Sequence, residues 1–310
     1  MLNFQLFSAE ITISPGASAK LVSKTLKNKG VINNSHLFYL YLRANKLTSK
    51  IHVGQFYIEP NTKFKDIADI ITGKKQQLIP ITIPEGYTIS EIIHALEKKR
   101  IISNSESFAR YLTQKMKSPI NSLIQPNSIS SMEGLLFPDT YFFSKNMSFD
   151  QIYSAFTKRF NHVFLPLYRN TPNPKLSFYD TLILASIIEK EAGTVAEMPL
   201  ISGVFHNRLV KKMYLASCPT VGYAMGQPRK KSLTYKDLDY VSPFNTYRNK
   251  GLPPSPIAAP GKQAFLAALN PMKTPYLYFV SKNDGSGTHV FSKTLAAHLK
   301  HQKRILTQTK

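Results

Sequence analysis

The stretch from Leu176 to Leu209, LSFYDTLILASIIEKEAGTVAEMPLISGVFHNRL, is the part of this chain around which the rest has to be arranged. Ser177 followed by Asp180 is a capping-box-like helix start, with Asp in place of the usual Glu or Gln. From Phe178 the pattern is helical and rich in Leu and Ile, and it stops at Gly193, which reads as a C-terminal cap. Two carboxylates, Glu189 and Glu191, sit near that end. At about 100° per residue, Ile183, Leu184, Ile187 and Ile188 form one apolar stripe. Glu191 falls near its centre, and Glu189 on the opposite face. A carboxylate that prolongs an apolar stripe is partly desolvated, which raises its pKa and suits it to act as a general acid near neutral pH. On spacing alone, the other reading is that Glu191 lies just past the buried part of the helix and is simply solvated.

Three segments upstream repeat one plan: ITISPGASAKLVSKTLKNKGVI, FYIEPNTKFKDIADIITGKK and ITIPEGYTISEIIHALEKKRII each read as a strand, a turn and an amphipathic helix. In the third, Pro84-Glu85-Gly86 makes the turn and Thr88 with Glu91 forms a capping box. Ile89, Ile92, Ile93 and Leu96 supply its apolar face. This plan resembles LysM modules, which bind glycans containing N-acetylglucosamine; a purely structural α+β module has the same pattern. Ser118 to Ser131 is rich in Ser, Asn and Pro and reads as a linker or long loop. EGLLFPDTYFF follows, and Pro138 makes it a loop leading into an aromatic strand. Its Glu133 and Asp139 stand among large apolar residues. That arrangement can line a sugar-binding cleft, or belong to a packing loop in which Asp139 bonds to backbone.

The chain of 310 residues is long enough for two domains, and its formal charge of +22 suits an anionic partner: nucleic acid, acidic lipid headgroups or an acidic polymer. No zinc-finger spacing, RNP-type strand or basic-region heptad accompanies that charge, so a nucleic-acid partner is not expected. The single Cys218 excludes an internal disulfide, and no His, Cys, Asp and Glu grouping has metal spacing. No phosphate-binding Gly-rich loop follows a strand. No cofactor and no metal are expected. No apolar run is long enough to span a bilayer, and the opening MLNFQLFSAEITISPG lacks a signal-peptide layout. That opening starts abruptly with a short apolar segment, so loss of an upstream anchor is one expectation.

Several blocks, in order, resemble the YceG-like family of endolytic murein transglycosylases: IPEGYTISEII, EGLLFPDTYFF, LASIIEKEA, VFHNRL, PTVGYAMG, FNTYRNKGLPPSPIAAPG and YLYFVSKNDGSGTHVFSKTLAAH. The resemblance implies an α+β fold, with a LysM-like strand-turn-helix module over 1–125 and a mixed α/β catalytic domain over 126–310. It implies attachment to the cell inner membrane with the catalytic part on the cell-wall side, near an anionic membrane surface. Peptidoglycan glycan strands are the implied substrate and penicillin-binding synthases the implied protein partners. The family's catalytic glutamate matches Glu191. Asn207 and Arg208 match the block after the catalytic helix, and Asn245, Thr246 and Tyr247 the block that closes over the site; Glu133 and Asp139 are further substrate-binding candidates. Where the family often has Gln and Asp before Pro219, this chain has Ala216 and Cys218.

The implied reaction cleaves the β-1,4 bond between MurNAc and GlcNAc within strands and leaves 1,6-anhydro-MurNAc ends, which would limit nascent strand length. A hydrolytic glycosidase usually needs two carboxylates. A lytic transglycosylase needs fewer protein groups, because the muramic acid's 6-hydroxyl is the nucleophile. Gly251 to Pro254 and Pro260-Gly261 are rigid turns that read as one wall of the groove. Tyr276 to Val280 reads as a strand, Asp284 to Gly287 as a hairpin turn and His289 to Phe291 as the return strand. His206 and His289 read as structural. The alternative function is a catalytically silent peptidoglycan-binding module that recruits cell-wall synthases.

Overall fold

The computed structural model describes residues 9–58, 60–75, 78–118, 120–124, 130–145, 147–230 and 232–308. Residues 119 and 125–129 of the Ser118 to Ser131 segment lie outside the described residues. The architecture is mixed α+β, with small two-stranded sheets among helices. By internal contacts the chain divides into two units, one of residues 1–81, 99–101 and 140–147, the other of 82–98, 102–139 and 148–310.

In the first unit, β1 (Ala9–Ile13) pairs antiparallel with β2 (Gly54–Ile58), Ala9 opposite Ile58 and Ile13 opposite Gly54. Helices α1 (Ala19–Asn28), α2 (Ser35–Ala44) and α3 (Phe64–Ile71) accompany this ladder. The first two start at capped residues. Ser18 accepts from the Leu21 amide, and Asn34 accepts from the amides of His36 and Leu37. Alternation along β1 and helical spacing along α1 to α3 bring Ile11, Leu26, Phe38, Leu42, Phe56, Ile67 and Ile71 into one buried cluster. A second ladder joins β3 (Ile79–Thr82) and β4 (Thr140–Phe143). The strand, turn and helix order read from the repeat is present in β1–α1, in β2–α3, and in β3 followed by α4 (Ile89–Lys98).

The second unit includes α5 (Ser105–Lys115) and the short α10 (Tyr235–Leu238) and is built on α7 (Phe178–Glu191). Its start is the one expected: Ser177 Oγ accepts from the Asp180 amide at 3.1 Å and donates to the Asp180 carboxylate at 2.7 Å. The expected one-sided stripe is absent, because every residue from Phe178 to Ile188 except Asp180 is buried. A helix apolar all round must be enclosed, and α8 (Met198–Val210), α9 (Cys218–Ala224) and α11 (Lys262–Leu269) pack around it. Phe160 and Phe164 of α6 (Phe149–Arg169) stack with Phe178 and Phe265, Phe164 to Phe265 at 4.2 Å between centroids, so three helices share one aromatic core. Ser186 Oγ in mid-α7 accepts from the Ile257 amide at 3.0 Å, tying the Pro-rich 252–260 segment to the helix.

The C-terminal hairpin follows its turn chemistry. β5 (Tyr278–Ser281) pairs antiparallel with β6 (His289–Ser292), Ser281 opposite His289. The loop uses positive φ at Asn283, Gly285 and Gly287. α12 (Leu295–Gln308) packs against both strands. No helix of the described residues is long and apolar enough to cross a membrane.

Candidate active site

Helix α7 ends at Glu191, and Ala192, with extended backbone, is its cap. Gly193 does not take the left-handed conformation expected of a C-terminal glycine. It is needed for another reason: a Cβ there would stand 2.2 Å from the carbonyl oxygen of Gly287. The α7 terminus and the hairpin loop therefore meet backbone to backbone, and between them opens a cavity of about 460 Å³. Its walls are Glu191 and Gly193, Arg208 of α8, Ala216 and Cys218, Tyr247, residues 279–281 of β5, Gly287 and His289 of the hairpin, and His298 and Gln302 of α12.

Glu191 is the carboxyl group among these wall residues. Burial raises its pKa, while the Ser217 hydrogen bond and the charges of His289 and Arg208 pull it part of the way back. Ser217 is fully buried, and its Oγ donates to Glu191 Oε1 at 2.6 Å. Backbone bonds fix Ser217 in turn. Its amide donates to Thr246 Oγ1 at 3.0 Å, and its carbonyl accepts from Thr220 Oγ1 at 2.7 Å. A carboxyl group in a dry setting with one tuned donor can hold a proton near neutral pH and still accept the charge once that proton is given away.

Perturbed acidity alone does not select Glu191. Burial also lifts Glu189 and Glu133 to about 7 each. Glu189 leaves α7 on another side, where Oε2 accepts from the Gly261 amide at 3.0 Å and the nearby Glu85 carboxylate pushes its pKa further up. Glu133 anchors α4, accepting from the Ile89 amide at 2.9 Å and from the Tyr223 hydroxyl at 3.2 Å. Neither lines the cavity. Position, not pKa, separates the three.

Comparison with known proteins gives the family. Residues 11–304 match the model of the YceG-like family. This chain belongs to the YceG-like family. A Bacillus subtilis (strain 168) protein named endolytic murein transglycosylase is 34% identical over 311 residues, covering 97% of this chain and 85% of that one. A protein of the same name from Streptococcus pneumoniae serotype 2 is 26% identical over 296 residues; this chain spans about half of it, 54%. The crystal structure of a YceG-like protein from Listeria monocytogenes superposes with a TM-score of 0.64 at 34% identity, covering 94% of this chain and 98% of that one.

Of the residues singled out in this YceG-like sequence, the cavity gathers Glu191, Arg208 and Tyr247. Arg208 is buried; Nε donates to the Leu277 carbonyl and Nη1 to the Leu215 carbonyl, both at 2.6 Å, while its guanidinium lies 5.3 Å from the Tyr278 ring centroid. The Tyr247 hydroxyl is 3.1 Å from Cys218 Sγ. Asn207 donates to the carbonyls of Thr274 and Tyr276, and Asn245 to those of Leu238 and Tyr240. Thr246 supports Ser217. These three hold the loops that form the walls. Asp139 pairs with Arg159 at 2.6 Å and, like Glu133, lies outside the cavity lining. The 251–261 segment, read as a groove wall, packs along α7 at Ser186 and Glu189 instead. His206 bonds the Ala268 carbonyl at 3.0 Å, joining α8 to α11.

Sequence reasoning missed Ser217, which lies beside the two departures Ala216 and Cys218 and lacks a spacing signal toward Glu191. His289, read as structural, lines the cavity and is held by Glu197.

Proposed function

We propose that this chain is an endolytic murein transglycosylase, a lyase that cuts the MurNAc-GlcNAc β-1,4 bond within peptidoglycan strands and leaves 1,6-anhydro-MurNAc ends. The observation that carries the reading is Glu191: among the described residues lining the cavity it is the one carboxyl group, buried, with a single short donor bond from Ser217. A hydrolase would need a second carboxylate to activate water. With one, the nucleophile has to come from the substrate. Glu191 protonates the bridging oxygen, the muramic 6-hydroxyl closes on the anomeric carbon, and the carboxylate left on Glu191 takes the hydroxyl's proton. No water enters, and Glu191 ends protonated again. Confinement between the α7 terminus and the hairpin supplies the positioning that such an intramolecular closure requires.

The finer parts of the reading are these. Arg208 and Tyr247 contact the glycan directly, and Asn207, Asn245 and Thr246 shape the walls. The strand-turn-helix segments serve as a LysM-like glycan-binding module, and the protein works at the cell-wall side of the inner membrane beside penicillin-binding synthases, limiting the length of nascent strands. The excess of positive charge favours an anionic membrane surface.

Mass spectrometry of long glycan strands incubated with the protein tests the proposal. Each new terminus should be one water lighter than its hydrolytic counterpart, with intermediate lengths preceding short fragments. Ordinary reducing ends would move the assignment to hydrolase, and immediate release of disaccharides would overturn the internal mode of cutting.

A further inference from the structure

Helices α1 and α2 carry positive charge that the fold does not use. No Asp or Glu stands between Ile11 and Ile58 in the sequence. Within that stretch, Lys20, Lys24 and Lys27 follow one another along α1 at the three- and four-residue spacing that puts side chains on one helix face. They form one wall of a groove of about 260 Å³, and Ser35, His36 and Tyr39 of α2 line the other. All three lysines are exposed, and among the described residues none has an ion-pair partner. Like charges at this spacing repel and weaken the helix that holds them. An anion from outside the chain relieves that repulsion.

The same two helices expose apolar side chains beside the groove. Leu21 of α1 is 54% exposed and lies one turn before Lys24; Leu40 of α2 is 41% exposed and lies one turn after His36. The helices pack side by side, with Val22 and Leu26 of α1 and Phe38 and Leu42 of α2 turned into the core. At about 100° per residue, Leu21 and Leu40 fall opposite those buried residues, on the outward crowns of their helices. Leu37, one turn before Leu40, is 54% exposed and widens the apolar strip. A soluble polyanion would neutralise the lysines and leave the leucines in water. A lipid surface takes both. We propose that the α1–α2 groove and its flanking leucines form a docking face for a bilayer containing anionic phospholipid.

Lipid phosphates sit among the ammonium groups of Lys20, Lys24 and Lys27, whose carbon stems lie along the apolar surface. Leu21 and Leu40 enter the boundary between headgroups and acyl chains, where an amphipathic helix rests its apolar side. Tyr39, part apolar and part polar, suits the same depth. Attraction to the negative surface acts on each lysine separately and is screened within about 10 Å at 0.1 M salt. The face is a surface contact that forms and releases, which distinguishes it from a membrane-spanning anchor. This inference rests on the reading of a protein that works beside an anionic membrane surface, and it assigns the residues that meet that surface.

The test sediments the full chain with vesicles of phosphatidylcholine alone and of phosphatidylcholine mixed with phosphatidylglycerol, at low and at high salt. Wild type should bind the mixed vesicles, release as salt rises, and leave the neutral vesicles bare. The variant Lys20→Gln/Lys24→Gln/Lys27→Gln should partition into mixed vesicles roughly a hundredfold more weakly, about fivefold per lysine. Leu21→Ser/Leu40→Ser should lose roughly tenfold while keeping every charge. A control with the same change of charge on α12, Lys300→Gln/Lys303→Gln/Arg304→Gln, should stay within a few-fold of wild type. The changed side chains are exposed, so melting temperatures should match wild type. Should the triple α1 variant melt early, Lys24→Gln alone carries the test, with its fivefold loss. If wild type ignores the mixed vesicles at low salt, both the membrane-surface reading and this inference fail. If wild type binds and the α12 control loses as much as the α1 variant, the charge acts without a site and this inference alone fails. If Leu21→Ser/Leu40→Ser binds as wild type and soluble poly(glycerol phosphate) strips the protein from vesicles, the groove takes a phosphate polymer in solution and the lipid assignment is overturned.

Discussion

Ser217→Ala removes one hydroxyl from the short bond to Glu191 and leaves the backbone bonds of residue 217 to Thr246 and Thr220 in place. The fold should therefore survive. A hydrogen bond to a charged group contributes roughly 1.5–3 kcal/mol when its partner is buried. The bond lies at 2.6 Å to a fully buried serine, so the upper half of that range applies. The lost donor stabilised the carboxylate form of Glu191 and not the protonated form, so its removal moves the pKa further up. The acid must be protonated when substrate arrives, so the alkaline limb of the pH profile of kcat/KM for strand cleavage should move to higher pH. Turnover at the optimum should fall several-fold, because a weaker acid transfers its proton less readily. An alkaline limb that stays in place, or moves to lower pH, would refute the assignment of Ser217 as the donor that tunes the catalytic acid.

Glu189→Gln tests the opposite side of α7. Burial raises Glu189 from 4.5 to about 7, so the stability it contributes is full below pH 4.5 and is lost as pH rises through about 7. The variant should match wild type near pH 5 and exceed it at pH 8 by on the order of 2 kcal/mol in chemical denaturation, discounted for residual solvent screening, with cutting retained. Equal stability at both pH values would contradict the burial argument. Gly193→Ala puts a methyl group 2.2 Å from the Gly287 carbonyl oxygen. Forcing that contact apart should cost about 1–3 kcal/mol in thermal unfolding and lower cutting more than tenfold by displacing the hairpin wall. A variant with unchanged melting and activity would show that the two backbones need not touch.

Local signals in the sequence carried the elements well. Ser177 with Asp180, Thr88 with Glu91, and the glycine-rich turn before His289 name their own helices and hairpin, because caps and turns act over two to four residues. The single-face stripe on α7 was misleading, since an apolar helix wrapped by three others has no exposed face to define a stripe. Gly193 looked like a cap because composition does not distinguish a positive φ from a close backbone approach. The polar pairs that shape the site span long separations: Ser217 to Glu191 is 26 residues and Glu197 to His289 is 92. No periodicity reports such pairs. They exist only once α7, α8 and the hairpin are packed, which is why Ser217 carries no signal in the sequence and His289 reads as structural there, while Glu191, at the end of a strongly patterned helix, is legible.

The most direct test of the account is Glu191→Gln, which keeps the shape of the side chain and its bond to Ser217 but has no proton to give. Incubated with long glycan strands, the variant should bind them as wild type does and melt at a similar temperature. New anhydro ends should form at least about 10²-fold more slowly, or not at all. Anhydro ends formed by Glu191→Gln at close to the wild-type rate would contradict the central claim and place the acid elsewhere in the chain.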